Sequence, residues 1–373
     1  MNVEASVNET TRLVFTGGHH NSALAVIDAL DHYQPFFIGH KYALHGVRIE
    51  SAEYREVIAR GIPFYDLKAG KVYRTINLIE WLRVVGGFFQ SLWWLFTIRP
   101  SLIVSFGGYL AAPVVAAGWL MRIPAVTHEQ TVVSGWSNRF ISRFARKIFI
   151  SWPQSAKFFP EKKIVLTGLP LRKEIVSLAK EPVRTGRQPP TIYITGGKQG
   201  SQTINQAVAG CLEKLLAEFL IIHQCGSLDS EELLQAWASL PTELRTRYLV
   251  KDYFSQGEIA DVYRQADFVI GRGGAHTVYE LAALGKPAIL VPIPWVSHNE
   301  QQRNAEMLEG IGLAAILPQK DLTSESLLGR VTSFRRGLAE RRGAGERAQN
   351  LIRLDGAQNI AGEIAAMLSG GGS

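Results

Sequence analysis

Short apolar runs bounded by glycine and proline alternate along the chain with longer stretches whose apolar residues recur at helical spacing. Leu13–Phe15, Pro35–Ile38, Ser101–Ser105, Pro124–Thr127, Lys147–Ile150 and Ile164–Leu166 form a first series of such runs. Thr191–Thr195, Phe219–Gln224, Phe268–Gly271 and Ala288–Pro292 form a second. Runs of this length and composition predict strands buried on both faces. Between them, Ser22–Leu30, Ser201–Phe219, Glu258–Gln265, Thr277–Leu284 and Gln301–Glu309 predict helices. Strand and helix in alternation predict parallel sheets with crossover helices, an α/β architecture of two Rossmann-like domains facing across a cleft. The series is made twice, on either side of Leu171–Pro190, where Pro182, Pro189 and Pro190 accompany scattered Lys and Arg. The expected organisation is an N-terminal domain over 1–165, a link over 166–190 and a second domain over 191–345. A C-terminal helix over 346–369 packing back toward the first domain, and a flexible Gly-Ser tail over 370–373, complete it. No short tandem period is present, which excludes a solenoid.

The chain has 373 residues, enough for two or three domains of about 150 residues each. Hydrophobic residues at 46% and charged residues at 20% exclude a disordered or fibrous chain. Two cysteines, Cys211 and Cys225, cannot build a disulfide framework and point to a reducing compartment. The first twelve residues hold no apolar run, so no secretory signal peptide is expected. Charge divides unevenly: up to Lys163 there are 18 basic and 11 acidic residues, and beyond it 22 of each. A basic first half favours an anionic partner, whether nucleic acid, membrane or phosphorylated substrate; a solvated basic surface fits equally.

Trp81–Ile98 is the most hydrophobic stretch. A spanning helix needs about 20 mostly apolar residues. Arg83 near its start, Gly86–Gly87 and Gln90–Ser91 within it, and Arg99–Pro100 at its end argue against spanning. Phe88, Phe89, Trp93 and Trp94, with Arg74, Arg83 and Arg99 nearby, suit a helix lying in a membrane interface. A buried crossover helix is the competing reading.

Chemistry concentrates where strands end. Thr16-Gly17-Gly18-His19 follows one strand and opens a helix, so glycines permit close backbone approach and the helix N-terminus offers N–H groups to an anion. His19 at that tip can act as a general base, or simply cap a turn. Gly196-Gly197-Lys198-Gln199-Gly200-Ser201 repeats the arrangement in the second half and suits a diphosphate. Neither is GxGxxG or a P-loop. In Gly271–Glu280, Glu280 suits a ribose diol, or electrostatic support of its own helix. His298–Ala305 concentrates side chains able to bond sugar hydroxyls. Phe106-Gly107-Gly108-Tyr109 and His128-Glu129-Gln130 also stand at strand C-terminal ends, where open α/β sheets bind ligands. No CxxC or HExxH spacing occurs, so no metal site is expected.

In this order, TGGH at 16–19, FGGY at 106–109, HEQ at 128–130, GLPLR at 168–172, GGKQGS at 196–201 and GGAHTVYELAALGKPAILVPIP at 273–294 resemble the MurG family along nearly the whole chain. These are peripheral membrane N-acetylglucosaminyltransferases that convert lipid I to lipid II. The resemblance implies a GT-B fold and an inverting transfer of GlcNAc from UDP-GlcNAc to a polyprenyl-diphosphate-linked sugar, without a cofactor, at the cytoplasmic face of the membrane in peptidoglycan precursor synthesis. It implies His19 as base and Gly17, Gly18, Tyr109, Glu129 and Gln130 on the acceptor side. It places Arg172, Lys198, Gln199, Gly200 and Ser201 by the diphosphate and Phe254 by the uracil. Ala275, His276, Thr277 and Glu280 fall in the donor motif, with Glu280 on the ribose and Glu300 and Gln301 toward the sugar. Phe88, Phe89, Trp93 and Trp94 would face an anionic membrane, and no nucleic-acid partner is implied. The chain departs from the family at Val14-Phe15, His20-Asn21-Ser22, Thr131, Lys198 and Glu300. Another lipid-linked acceptor, a UDP-GlcNAc 2-epimerase or a non-catalytic UDP-sugar-binding subunit are the alternatives.

Overall fold

A computed structural model describes residues 10–44, 47–70, 78–182, 188–197, 199–296 and 299–370. Among these residues fifteen strands carry the framework: β1 (Thr11–Thr16), β2 (Tyr33–Gly39), β3 (Tyr42–Leu44), β4 (Val47–Glu50), β5 (Phe64–Asp66), β6 (Leu102–Ser105), β7 (Ala125–Glu129), β8 (Lys147–Ile150) and β9 (Ile164–Leu166), then β10 (Thr191–Thr195), β11 (Leu220–Gln224), β12 (Tyr248–Lys251), β13 (Phe268–Gly271), β14 (Ala288–Leu290) and β15 (Ala314–Ile316). One sheet has the order β5-β2-β1-β6-β7-β8-β9 and a second the order β12-β11-β10-β13-β14-β15, each parallel throughout. β3 and β4 pair as a separate antiparallel hairpin.

The parallel strands are apolar on both sides because helices cover both faces of each sheet. In β1, Leu13 and Phe15 enter one cluster with Val26, Phe37 and Val104, while Val14 enters the opposite one with Ile103 and Val114. In the second sheet, Ile192, Ile194, Ile221 and Ile270 pack against Ile204, Leu215 and Phe334. The predicted strands are present, with bounds shifted by a few residues. Five strands were not predicted: β5, β12 and β15 stand at sheet edges, β3 and β4 form the separate hairpin, and each holds only three or four residues.

Two boundaries differ from expectation. The chain forms two compact units, one up to Leu171 and from Asp355 onward, the other Arg172–Leu354. The stretch 166–190 is therefore not a free link. Leu169 and Leu171 are buried in the first unit, and Lys173–Leu178 is a helix of the second. The C-terminal helix is Gly356–Ser369, and 346–349 belongs instead to a short helix of the second unit, Gly345–Gln349. Ala357, Ile360 and Ile364 join the first unit's core, and Asn359 Nδ2 donates to the Thr167 carbonyl at 3.1 Å. The predicted helix 201–219 divides into Gln202–Ala209 and Leu212–Glu218. Gly210 at the break packs tightly enough that a Cβ would lie 2.2 Å from Ser324 Oγ.

Leu78–Ile98 is one continuous helix of 21 residues despite its glycines and polar pair. Gly87 sits against Ala69, with room for no bulkier side chain. Gln90 accepts from the Lys68 amide at 2.9 Å and donates to the Asp66 carbonyl at 2.8 Å, so the polar residues fasten the helix to the chain leaving β5. Ser91 Oγ, buried, bonds back to the Gly87 carbonyl. Of the four predicted membrane residues, Phe89 and Trp93 are exposed, whereas Phe88 and Trp94 are half-buried against the core. Trp94 faces inward onto Tyr65, ring centroids 4.9 Å apart. The exposed stripe runs Leu82, Val85, Phe89, Trp93 and Phe96, which is the spacing of one helix face. Among the described residues no helix is long and apolar enough to cross a membrane.

Candidate active site

Each sheet changes winding direction at one point. β1 is flanked by β2 and β6, and β10 by β11 and β13, so the loops leaving β1 and β6, and those leaving β10 and β13, diverge to opposite faces of their sheet. Such a crevice beyond the strand C-termini is where open α/β sheets bind ligands.

At the first crevice, Thr16 pairs in register with Ser105. The loops that follow are locked backbone to backbone: Gly18 N–H donates to the Gly107 carbonyl at 3.2 Å. Gly17 has φ +123°, and a Cβ there would lie 2.6 Å from the Gly107 oxygen, so no other residue fits. His19 is the N-cap of the helix His20–Ile27, exposed and making no capping hydrogen bond with its side chain. The protein packed around it, and then the neighbouring His20, disfavour its protonated form and lower its pKa. The imidazole is thus neutral at pH 7, the state a base requires. Tyr109 is half-buried, and burial followed by Glu53 and Glu80 raises its phenol.

The HEQ residues divide. His128 is buried, and its Nε2 lies 3.1 Å from the Gly168 carbonyl and 3.3 Å from Ser151 Oγ. Desolvation pushes it down to about 3, which marks a neutral structural histidine. Glu129 is also buried. Its Oε1 accepts from Thr131 N–H and Oγ1 at 3.1 and 2.8 Å, and its Oε2 accepts from Asn138 Nδ2 at 2.9 Å. The carboxylate therefore organises the following loop, in which Thr131 supplies two of its donors. Gln130 is 1% exposed with neither amide atom hydrogen-bonded among the described residues, so it, like His128 Nδ1, has bonding capacity to spare.

At the second crevice, Thr195 pairs with Gly271. Gly200 has φ +77°, and a Cβ there would lie 1.9 Å from the Cys225 carbonyl oxygen, so the Gln199–Gly200 backbone rests directly on the loop after β11. Ser201 then caps the helix Gln202–Ala209 through its Oγ. Lys198 lies outside the described residues. Gln224, at the end of β11, donates to the Gly197 carbonyl at 2.9 Å and accepts from Phe254 N–H at 3.1 Å. It joins the glycine loop to the segment expected at the base. Beneath them, buried Asn205 donates to the Cys225 carbonyl at 2.8 Å and to Asp229 at 2.6 Å, and faces His223 Nε2 at 3.0 Å.

Glu280 lies in the helix Ala275–Ala283, whose first turn holds Ala275, His276 and Thr277. Its Oε1 accepts from Arg172 at 2.9 Å and its Oε2 from the Tyr263 hydroxyl at 3.1 Å. Burial alone would lower Arg172, but the charge and hydrogen bond of Glu280 outweigh it and the guanidinium is held above its ordinary value. Gln301 Oε1 accepts from Ile293 N–H at 3.1 Å, and Asn304 Nδ2 donates to the Gly273 carbonyl at 3.2 Å. These bonds join the helix Glu300–Gly310 to the loop after β14 and to the loop after β13, respectively. Glu300 is partly exposed at the helix start.

Gly17, Gly18, His19 and Tyr109 thus stand at the first switch point, and Gln199, Gly200, Ser201, Ala275, His276 and Thr277 at the second, whereas Glu129 and Gln130 belong to the end of β7 and the loop after it, and Phe254 follows β12. Sequence reasoning did not single out Gln224, Arg272, Asn205 or Tyr263: Gln224 and Arg272 carry the signal of a strand's C-terminal end, Arg272 among the glycines of 271–274, whereas Asn205 and Tyr263 lie within helices and no local pattern marks them. Among the described residues no three His, Cys, Asp or Glu side chains converge as metal ligands.

The sequence pattern of the glycosyltransferase family 28 N-terminal domain matches residues 14–150, and that of the family's C-terminal domain matches 191–354. The UDP-N-acetylglucosamine–N-acetylmuramyl-(pentapeptide) pyrophosphoryl-undecaprenol N-acetylglucosamine transferase 2 of Bacillus cereus is 32% identical over 331 residues, 85% of this chain and 89% of that protein. The transferase of that name from Desulfotalea psychrophila is 33% identical over 360 residues, 94% of this chain and 93% of that one. The crystal structure of Acinetobacter baumannii MurG superposes with a TM-score of 0.72 at 25% identity, over 96% of this chain and all of that one. Two parallel Rossmann-like sheets, paired switch-point loops and relatives matched across both halves lead to one assignment: the chain belongs to glycosyltransferase family 28.

Proposed function

We propose that the chain transfers GlcNAc from UDP-GlcNAc to the hydroxyl of an undecaprenyl-diphosphate-linked muramyl pentapeptide, the reaction named in its relatives. The observation that carries the reading is the grouping of cation, carboxylate and glycine loop around one switch point of the second unit, together with a neutral histidine at that of the first. His19 takes the hydroxyl proton as the acceptor oxygen bonds to the anomeric carbon. The bond from that carbon to the β-phosphate oxygen breaks, and its electron pair leaves with UDP. Arg172 and the N–H groups after Gly196 meet the charge that develops there, without a resident metal. Glu280, aligned by Tyr263, takes the ribose hydroxyls. Since Arg172 and Glu280 pair with each other, substrate trades that pairing for its own.

The acceptor is a lipid, and the first unit offers a surface for it. Besides the stripe on Leu78–Ile98, Trp119 and Leu120 on the adjoining helix, and Trp136 and Phe140 on the next, are exposed. Arg99, Arg122, Arg143 and Arg146 stand exposed at the ends of these helices or just beyond them. Each apolar side chain buried in the interface contributes about 1.5–3 kcal/mol, and each cation near an anionic leaflet about 1 kcal/mol. This surface supports a peripheral location, with the cytoplasmic leaflet as the face on which the lipid-linked acceptor would be met.

Incubation with UDP-GlcNAc and the lipid-linked acceptor, followed by mass spectrometry, should yield UDP and a product heavier by one GlcNAc. Conversion of UDP-GlcNAc to its 2-epimer without acceptor would instead make the chain an epimerase. Phe89→Ser combined with Trp93→Ser should reduce binding to anionic vesicles and turnover of vesicle-borne acceptor at least about tenfold, leaving a water-soluble acceptor analogue unaffected. Equal loss on both acceptors would remove the membrane role of that stripe.

A further inference from the structure

Arg272 leads out of β13 and is buried, 8% exposed. Its Nη1 donates to the Val291 carbonyl at 3.0 Å and to Gln319 Oε1 at 2.7 Å. Its Nη2 donates to Ser201 Oγ at 2.6 Å and to Thr203 Oγ1 at 2.8 Å, while Nε has no partner among the described residues. Every acceptor is neutral. Burial pushes the guanidinium down to about 10, with no carboxylate among the described residues opposing it, in contrast to Arg172 beside Glu280. An enclosed cation without a counter-ion is costly unless an anion arrives to complete it.

The two hydroxyls say where that anion binds. Ser201 Oγ accepts from both Arg272 and Ile204 N–H, so its own proton must be given elsewhere. Thr203 Oγ1 likewise accepts from Arg272. The hydroxyls lie 3.3 Å apart, and that contact uses at most one of their two protons. At least one polarised O–H therefore remains for a ligand, beside the N-terminus of an eight-residue helix and the glycine loop.

We propose that Arg272 is a positioning residue for the donor's diphosphate: it holds the Ser201 and Thr203 hydroxyls as outward donors and supplies the fixed countercharge behind them. This rests on the UDP-sugar reading of the second unit. During transfer the charge left on UDP grows at the β-phosphate, so the arrangement serves the leaving group as well as the ground state.

The test compares UDP with uridine, which lacks the phosphates, by calorimetry on the full chain. Arg272→Gln should weaken UDP about ten- to hundredfold and leave uridine unchanged. Arg272→Lys should recover part of the loss. Thr203→Ala, at an exposed position that leaves the core intact, should weaken UDP about threefold or more with uridine again unchanged. Equal weakening of UDP and uridine by the Arg272 variants, or an Arg272→Gln protein that binds UDP normally, would overturn the role. If Arg272→Gln fails to fold, Thr203→Ala decides: unchanged UDP affinity overturns the proposal. Wild-type protein binding UDP no better than uridine would remove the diphosphate site itself, and the proposal with it.

Discussion

His19 and His128 show how environment divides two histidines of one unit. His128 is sealed behind Gly168 and Ser151 and has no access to substrate, whereas His19 stands exposed at a helix tip. Both are held below the ordinary value, and for His19 the sign has a kinetic consequence. A base works unprotonated, so kcat/KM should stay level as the pH falls from about 8 to about 6.5, the ordinary histidine value. It should decline only on further acidification, as His19 protonates. His19→Ala should lower kcat by about 10²–10⁴-fold with UDP affinity unchanged. An acid limb centred at or above the ordinary value, or an alanine variant of full activity, would remove His19 from the reaction. His128 and His223, each pushed to about 3, titrate in the unfolded chain first. Below about pH 6.5 each should cost stability at roughly 1.4 kcal/mol per pH unit until it protonates in the folded state. Urea unfolding at successive pH values measures that slope.

At the scale of elements, the glycine pair in Leu78–Ile98 separates propensity from packing. Gly86 has open space where a Cβ would stand, but at Gly87 the Cβ would be 3.0 Å from that of Ala69. Gly86→Ala should therefore stabilise by about 0.5–1 kcal/mol through helix propensity. Gly87→Leu should destabilise by about 1–3 kcal/mol through overpacking. Chemical denaturation distinguishes them, and an equal response of the two sites would show that the helix does not rest on Ala69 as described. From the sequence alone the pair reads as an interruption, because only the neighbour across the contact explains it. The same limit explains Phe88 and Trp94: composition marks an aromatic-rich helix, but which aromatics face outward depends on where its neighbours pack.

At the scale of the molecule, the first unit is made of two separated pieces of chain. Ile360 and Ile364, both fully buried, enter its core from the C-terminal helix. Ending the chain at Asp355 should cost that unit at least about 3 kcal/mol, taking about 1.5 kcal/mol for each isoleucine, and lower its melting temperature while the second unit still binds UDP. An unchanged melting profile would contradict the packing. The sequence by itself determined the strand–helix alternation, the paired domains and the glycine-rich loops at strand ends, since these follow from local periodicity and from glycine's conformational range. The tertiary structure alone decided that Glu129 is consumed by Thr131 and Asn138, that Glu280 is shared between Arg172 and Tyr263, and that Arg272 lies buried behind Ser201. Those relations join residues up to 108 positions apart, and a side chain's free valences are known only when all its neighbours are in place.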